Sequence, residues 1–173
     1  MFKKEGFARN LLANNDSLFI KDFCSLHIVN RNDFEYKKVL ELGKDLSSDI
    51  CGMAIDEKNI YACIRNDSIT VIDIKKLEIK GNYQISNGSF WDLRIFNDSL
   101  VGGNVNGELI FINKNNMKNE NTIVLNNQNI HNIVVDNNRI YAAGQNKTIY
   151  IVDGNNYSCI NQKRNAHKKC LIV

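Results

Sequence analysis

The chain has 173 residues, 43% of them hydrophobic and 24% charged, with a net charge of +3. That is the make-up of a globular chain with enough apolar material for a core. So mild a charge gives no electrostatic reason to expect nucleic acid or an anionic membrane as a partner. The longest apolar runs, such as Ile133-Val134-Val135, are a few residues long, far short of the roughly 20 that cross a bilayer. The opening MFKKEGFARN carries charge with no apolar stretch after it and does not read as a secretory signal.

In chain order, the first segment (7–45) begins near Phe7, with Ala8, Leu11 and Ala13 on an inner strand, and runs on through SLFIKDFCSLHIVN from Ser17. The second (46–86) predicts strands at Ile50–Ile55, Ile60–Ile64 and Ile69–Asp73, and a weaker one at Glu78–Ile85. Its joins are turn-rich: Asp56–Asn59, Arg65–Asp67 and Lys75-Lys76. In the third (87–126), SLVGGNVNGELIFIN from Ser99 places Asn106-Gly107 between two strands, a strong tight-turn signal. The fourth (127–165) contains RIYAAGQNKTIYIVD from Arg139. The final stretch (166–173) ends in Cys170-Leu171-Ile172-Val173, which reads as the inner strand of a fifth unit. With no proline in the chain and 28 asparagines, the turns are made by Asn, Asp, Gly and Ser.

These segments are repeats. Leu18, Ile60, Leu100 and Ile140 are spaced by 42, 40 and 40; the closing residues Asn30, Asp73, Asn113 and Asp153 by 43, 40 and 40. Three upstream columns (Ile50, Phe90, Ile130; Met53, Leu93, Ile133; Ile55, Ile95, Val135) each step by 40. Short strands at this density mean an all-β fold. Tyr61–Ile64, Leu109–Ile112 and Ile149–Val152 are apolar on successive residues, so both faces of their sheets are expected to be covered. Four antiparallel strands per repeat, covered on both faces, predict a β-propeller of four blades plus the first strand of a fifth. The whole of 1–173 is read as one propeller segment.

The repeats resemble the WD-repeat propellers. NDSITVID carries the clearest likeness: Asn66 stands where the family places its structural Asp, and Ile72-Asp73 stand for the closing aromatic–Asp pair. Asn146 and Val152-Asp153 repeat the pattern, and His167 sits where a Gly-His would begin the next repeat. The chain departs from the family in having no Trp at a closing position and Asn at two of them, Asn30 and Asn113; Trp91-Asp92 falls in a first strand instead. The NHL and quinoprotein-like propellers, of similar period, stay open as alternatives. The resemblance implies a ring of about seven blades. An open arc would leave two blade faces bare, each roughly 350 Å² of mostly apolar surface. Those faces are expected to be covered by the remainder of a larger ring, by a second copy completing eight blades, or by self-closure as four.

Catalytic chemistry is not legible. His27, His131 and His167 form no metal-spaced cluster, and no phosphate loop or nucleophile motif occurs. No catalytic residue, metal or cofactor is expected. His27 is read as facing a blade edge or solvent, and Gly102-Gly103 as a place where backbones approach. Lys163-Arg164 with His167-Lys168-Lys169 reads as a solvated inter-blade loop rather than a nucleic-acid site. Cys24, Cys51, Cys63, Cys159 and Cys170, odd in number and without a CxxC pair, fit reduced thiols and a cytoplasmic setting. Propellers work through the rim of the central channel. The residues expected there are Arg65, Asn66 and Asp67, then Asn104 and Asn106, then Gln145, Asn146 and Lys147, with Trp91, Asp92 and His131 on first strands. Trp91 reads either as an interface anchor or as filler between blades. The function expected is a non-enzymatic scaffold for a protein partner; the alternative is part of a propeller enzyme whose active residues lie outside this chain.

Overall fold

The computed structural model describes residues 10–22, 24–43, 50–64, 67–85, 87 and 89–164. Met1–Gln84 and Ile85–Val173 form two compact units. Among the described residues all regular structure is strand, and within each sheet every strand pairs antiparallel with its neighbours in sequence.

In the first unit, β1 (Asn10–Ala13), β2 (Ser17–Lys21), β3 (Ser25–Asn30) and β4 (Tyr36–Glu41) make one four-stranded meander. A second is made by β5 (Ile50–Ile55), β6 (Asn59–Ile64), β7 (Ser68–Asp73) and β8 (Glu78–Gln84). The predicted strands of this repeat match within a residue, as do the turns at Asp56–Asn59 and Lys75-Lys76; Arg65 and Asn66 of the remaining turn lie outside the described residues. Phe19, Leu26 and Ile28 of the first sheet meet Met53, Ile60, Ala62 and Ile72 of the second in one core. The middle strands β6 and β7 are buried on nearly every residue, as the unbroken apolar run Tyr61–Ile64 of β6 requires; in β7 the polar Ser68 and Thr70 are buried with the apolar residues. The outer β8 is exposed along most of its length, which is why its sequence gives the weakest strand signal. Two polar contacts fix these sheets. The buried Lys21 sends its Nζ to the Cys51 carbonyl (3.0 Å). The Cys63 Sγ donates to Gly52 O (3.1 Å) and accepts from Gly52 N (2.8 Å).

The second unit repeats the plan. Its first sheet holds β9 (Phe90–Phe96), β10 (Ser99–Asn104), β11 (Glu108–Asn113) and β12 (Asn119–Val124). Its second holds β13 (Ile130–Asp136), β14 (Arg139–Gly144), β15 (Thr148–Asp153) and β16 (Cys159–Arg164). Val101, Leu109 and Phe111 face Ile133, Ile140, Ala142, Tyr150 and Val152 across the sheet–sheet interface. The two glycines of β10 permit the close packing read from sequence. A Cβ on Gly102 would strike the Phe90 ring, and one on Gly103 would lie 2.6 Å from Ile130 Cγ2.

Two expectations are corrected. Ile149–Val152 is not covered on both faces: β15 alternates, with Tyr150 and Val152 buried and Ile149 36% exposed. Among the described residues of this unit, sheet lies against only one of its faces. Lys163 and Arg164 belong to β16, paired with Ile149 and Thr148, rather than to a loop. The expected start near Phe7, the inner-strand residue Ala8, the columns at Asn66 and His167, and the fifth-unit strand Cys170–Val173 lie outside the described residues, while Leu11 and Ala13 fall in β1 as expected.

The closing column of the repeat has a local cause. The side chains of Asn30, Asp73, Asn113 and Asp153 each accept a backbone N–H two residues on, from Asn32, Lys75, Asn115 and Asn155, at 2.7–2.9 Å. These are Asx turns, which ask only for a short side-chain oxygen, so Asn and Asp serve equally. Four residues after each closing residue comes a bulky apolar one in the left-handed region: Phe34 (φ 60°), Leu77 (54°), Met117 (57°) and Tyr157 (59°). That conformation costs such residues about 1–2 kcal/mol.

Candidate functional site

Each sheet of the second unit has two ends. At one, the turn between second and third strands is tied by backbone bonds to the approach to the first strand: Val105 N to Ser89 O (3.1 Å) and, one repeat on, Gln145 N to Asn129 O (2.9 Å). Trp91 and His131 are the second residues of β9 and β13, so both lie at this end. Their rings are 5.0 Å apart between centroids, tilted by 55°. Trp91 is half-buried and His131 exposed.

The pair is held by Asp92. Its Oδ2 accepts the Ile133 amide of β13 (2.8 Å), and its Oδ1 accepts Leu93 N (2.9 Å) and Arg94 Nη1 (2.5 Å). The carboxylate is thus a rivet between two first strands. Burial (3% exposed) pushes its pKa above the ordinary carboxylate value, against the opposing pull of Arg94 and the two amides. Arg94, one-third exposed on its side chain, carries the compensating charge outward. Arg94 is absent from the sequence-derived set. Its signal is in the sequence all the same: an Asp and an Arg two apart on a strand share a face.

The other predicted residues divide. Asn104 is fully buried: its Oδ1 accepts Asn106 N (3.0 Å) and Glu108 N (2.9 Å), while its Nδ2 donates to Asn87 O (3.0 Å) and Glu108 Oε2 (2.6 Å). It braces the turn from inside and, like Asp92, is not presented to solvent. Gln145 and Lys147 are exposed on the next turn, Lys147 at φ 61°. Asn146 donates to the Tyr150 hydroxyl (2.8 Å), which also receives Asn126 Nδ2 (3.0 Å). Asp67 lies in the first unit, half-buried, at φ 63°. Arg65 and Asn66 lie outside the described residues. One end of the second unit therefore gathers Trp91, His131, Gln145 and Lys147 at the surface, with Asp92 and Asn104 beneath.

Elsewhere the chemistry is structural. His27 is buried rather than at an edge or in solvent, with Nε2 3.5 Å from Asp22 Oδ2 and Tyr36 edge-on at 6.0 Å. In the first unit an open cleft of ≈510 Å³ is lined by Ala13–Asp16 and Ile55–Glu57. Its Asp56 carboxylate already accepts Tyr61 OH (2.9 Å) and the amides of Lys58 and Asn59. Among the described residues, no group of three His, Cys, Asp or Glu is placed to hold a metal.

Four-stranded antiparallel meanders, packed face to face and recurring once per sequence repeat, define a β-propeller fold. The fold is similar to that of the computationally designed Ika8 protein (TM-score 0.77, 11% identity, 90% of this chain and 48% of that one). It is similar to the Neurospora crassa Pan2 WD40 domain (TM-score 0.78, 14% identity, 90% and 51%). It also matches a chain of a mitotic checkpoint complex (TM-score 0.80, 10% identity, 95% and 53%). The chain spans about half the length of these solved structures. No family model and no curated protein sequence matches it.

Proposed function

We propose that this propeller is a non-enzymatic scaffold, in a cytoplasmic setting, that binds a protein partner through the end of the second unit where Trp91 and His131 meet. The observation that carries the reading is this aromatic pair: partly open to solvent, braced from behind by Asp92, and flanked by the exposed polar turn Gln145–Lys147. Trp on a pre-organised backbone is a strong interface anchor, because little side-chain entropy remains to be lost on binding. First strands line the channel in a propeller, so the pair would lie at the rim through which such folds bind. That one of the similar structures is a chain in a multiprotein complex supports the same reading.

The test uses a photo-crosslinking amino acid in place of Gln145, whose backbone alone makes the contact to Asn129. The expected result is a discrete protein adduct in extracts of the source cell, lost in Trp91→Ala while the melting temperature of that variant stays within a few degrees. Diffuse adducts, or an adduct indifferent to Trp91→Ala, would remove the support. Trp91 is the single tryptophan of the chain, so its fluorescence also reports occupancy of the site without a label.

A further inference from the structure

The chain contains two Asn-Gly steps, Asn87-Gly88 and Asn106-Gly107. The second lies in the turn between β10 and β11, and its surroundings explain the glycine. Gly107 has a φ of 80°, and a Cβ on it would lie 2.5 Å from Asn126 Oδ1 and 2.6 Å from the Asn126 carbonyl oxygen. Glycine takes that conformation in that space without strain. It also leaves its own amide nitrogen unshielded by a side chain. The turn therefore sets an open amide nitrogen directly after an asparagine.

Both groups are loosely held. Asn106 is exposed, and its side chain makes no hydrogen bond; only its backbone N–H is held, by Asn104 Oδ1 (3.0 Å). The Gly107 N–H reaches Asn104 O at 3.5 Å, beyond the range of a strong bond. One repeat on, the same position is Asn146-Lys147. There the Asn146 side chain is tied at both ends, donating to the Tyr150 hydroxyl (2.8 Å) and accepting Thr148 N (3.2 Å). At the Asp-Gly step Asp153-Gly154, Gly154 N is held by Asn138 O at 2.8 Å, and the Asp153 side chain accepts Asn155 N at 2.7 Å. Among the described residues, only Asn106-Gly107 joins a free side-chain amide to a loosely held glycine nitrogen.

We propose that Asn106-Gly107 is a self-modification site, at which Asn106 converts in water to aspartate and isoaspartate and so releases the turn. Gly107 N attacks Asn106 Cγ: the N–Cγ bond forms, the Cγ–Nδ2 bond breaks, and Nδ2 leaves as ammonia with the proton from Gly107 N. Water then opens the cyclic imide. Attack at Cγ gives aspartate, and attack at the Asn106 main-chain carbonyl gives isoaspartate. No oxidant or second substrate takes part. Both products place a new carboxylate two residues from Glu108, and isoaspartate adds a methylene to the backbone. Asn104 Oδ1 spans this turn by accepting both Asn106 N (3.0 Å) and Glu108 N (2.9 Å); a longer chain between those amides does not keep both. The neighbouring tie from Val105 N to Ser89 O, two residues from Trp91, loosens with them. A decline of partner binding with age rests on the reading of the Trp91 site; the chemical step does not.

The test is incubation of the purified chain for about four weeks at about pH 8 and about 37 °C, conditions under which asparagine is labile, beside a sample unfolded in guanidinium chloride. Peptide mapping should show a mass gain of about 1 Da at Asn106, with both products present. The rate should lie within about tenfold of that in the unfolded sample, since only a local opening is needed. Asn146 should stay unmodified and Asp153 unisomerised. Asn106→Gln, which must close a larger ring, should slow the gain at this position at least about tenfold. In the isoaspartate fraction, amide exchange should show lost protection at Glu108 with Ile112 unchanged. A rate at Asn106 suppressed about 100-fold or more by folding, modification confined to Asn87, or full protection at Glu108 in the isoaspartate fraction overturns the proposal.

Discussion

Removing the Asp92 carboxylate should open the seam between β9 and β13. In Asp92→Ala the Ile133 amide, buried between two sheets, loses its 2.8 Å acceptor, and Arg94 loses its partner. A stranded buried donor costs about 1–3 kcal/mol, and a hydrogen bond to a charged group contributes about 1.5–3 kcal/mol. Burial works the other way, since it already disfavours the ionised carboxylate and that penalty disappears with the side chain. A net loss of about 3 kcal/mol follows. Amide hydrogen exchange reads it locally: protection of Ile133 should fall about 100-fold, while Leu100, on the neighbouring strand β10, changes only with global stability. Asp92→Asn keeps one oxygen for the Ile133 amide and should lose only about 1 kcal/mol. The carboxyl pKa in the folded protein is raised above 3.8, so the folded state holds this proton more tightly than the unfolded one. The contribution of Asp92 to stability therefore falls as pH rises from about 3.8 through the folded value, and Asp92→Asn should flatten that limb. Equal losses for Ala and Asn, or unchanged protection at Ile133, would refute the rivet.

Two further expectations concern packing and base stability. Gly103→Ala places a methyl 2.6 Å from Ile130 Cγ2 and 3.1 Å from the Ile130 carbonyl; it should cost about 1–3 kcal/mol in urea unfolding, and a neutral result would mean that the sheets are not held at this distance. Tyr61, its hydroxyl donated to Asp56, has its pKa pushed from 10.0 up to about 12, chiefly by burial. The unfolded chain releases this proton first, so stability should decline from about pH 10 towards pH 12; Tyr61→Phe should lose that alkaline limb while costing about 1 kcal/mol at neutral pH.

Much of this fold is written along the chain. Strands, turns and repeat follow from local chemistry: apolar runs at Tyr61–Ile64 and Leu109–Ile112, breakers at Asn106-Gly107, and an Asn or Asp once per repeat where an Asx turn must form. The hydrophobic column Phe34, Leu77, Met117, Tyr157 is equally present, spaced by 43, 40 and 40. It passes for ordinary loop content because apolar residues in turns carry no local rule; only a positive φ and a neighbouring sheet give them a role. The candidate site is half legible. Trp91 and His131 stand out by residue type and column, but sequence does not say which side chains of a strand face a neighbouring sheet. That is decided by packing. The Ile133 amide needs an acceptor once two sheets meet, and Asp92 is the group within reach, so it is drawn inside with Arg94 beside it. Asn104 is buried for the same reason, its side-chain bonds satisfying a turn that has left water. Sequence determined the repeat, because period and turn chemistry are local. Tertiary structure decided which polar groups serve the interior and which the surface, because that choice depends on what each sheet is pressed against.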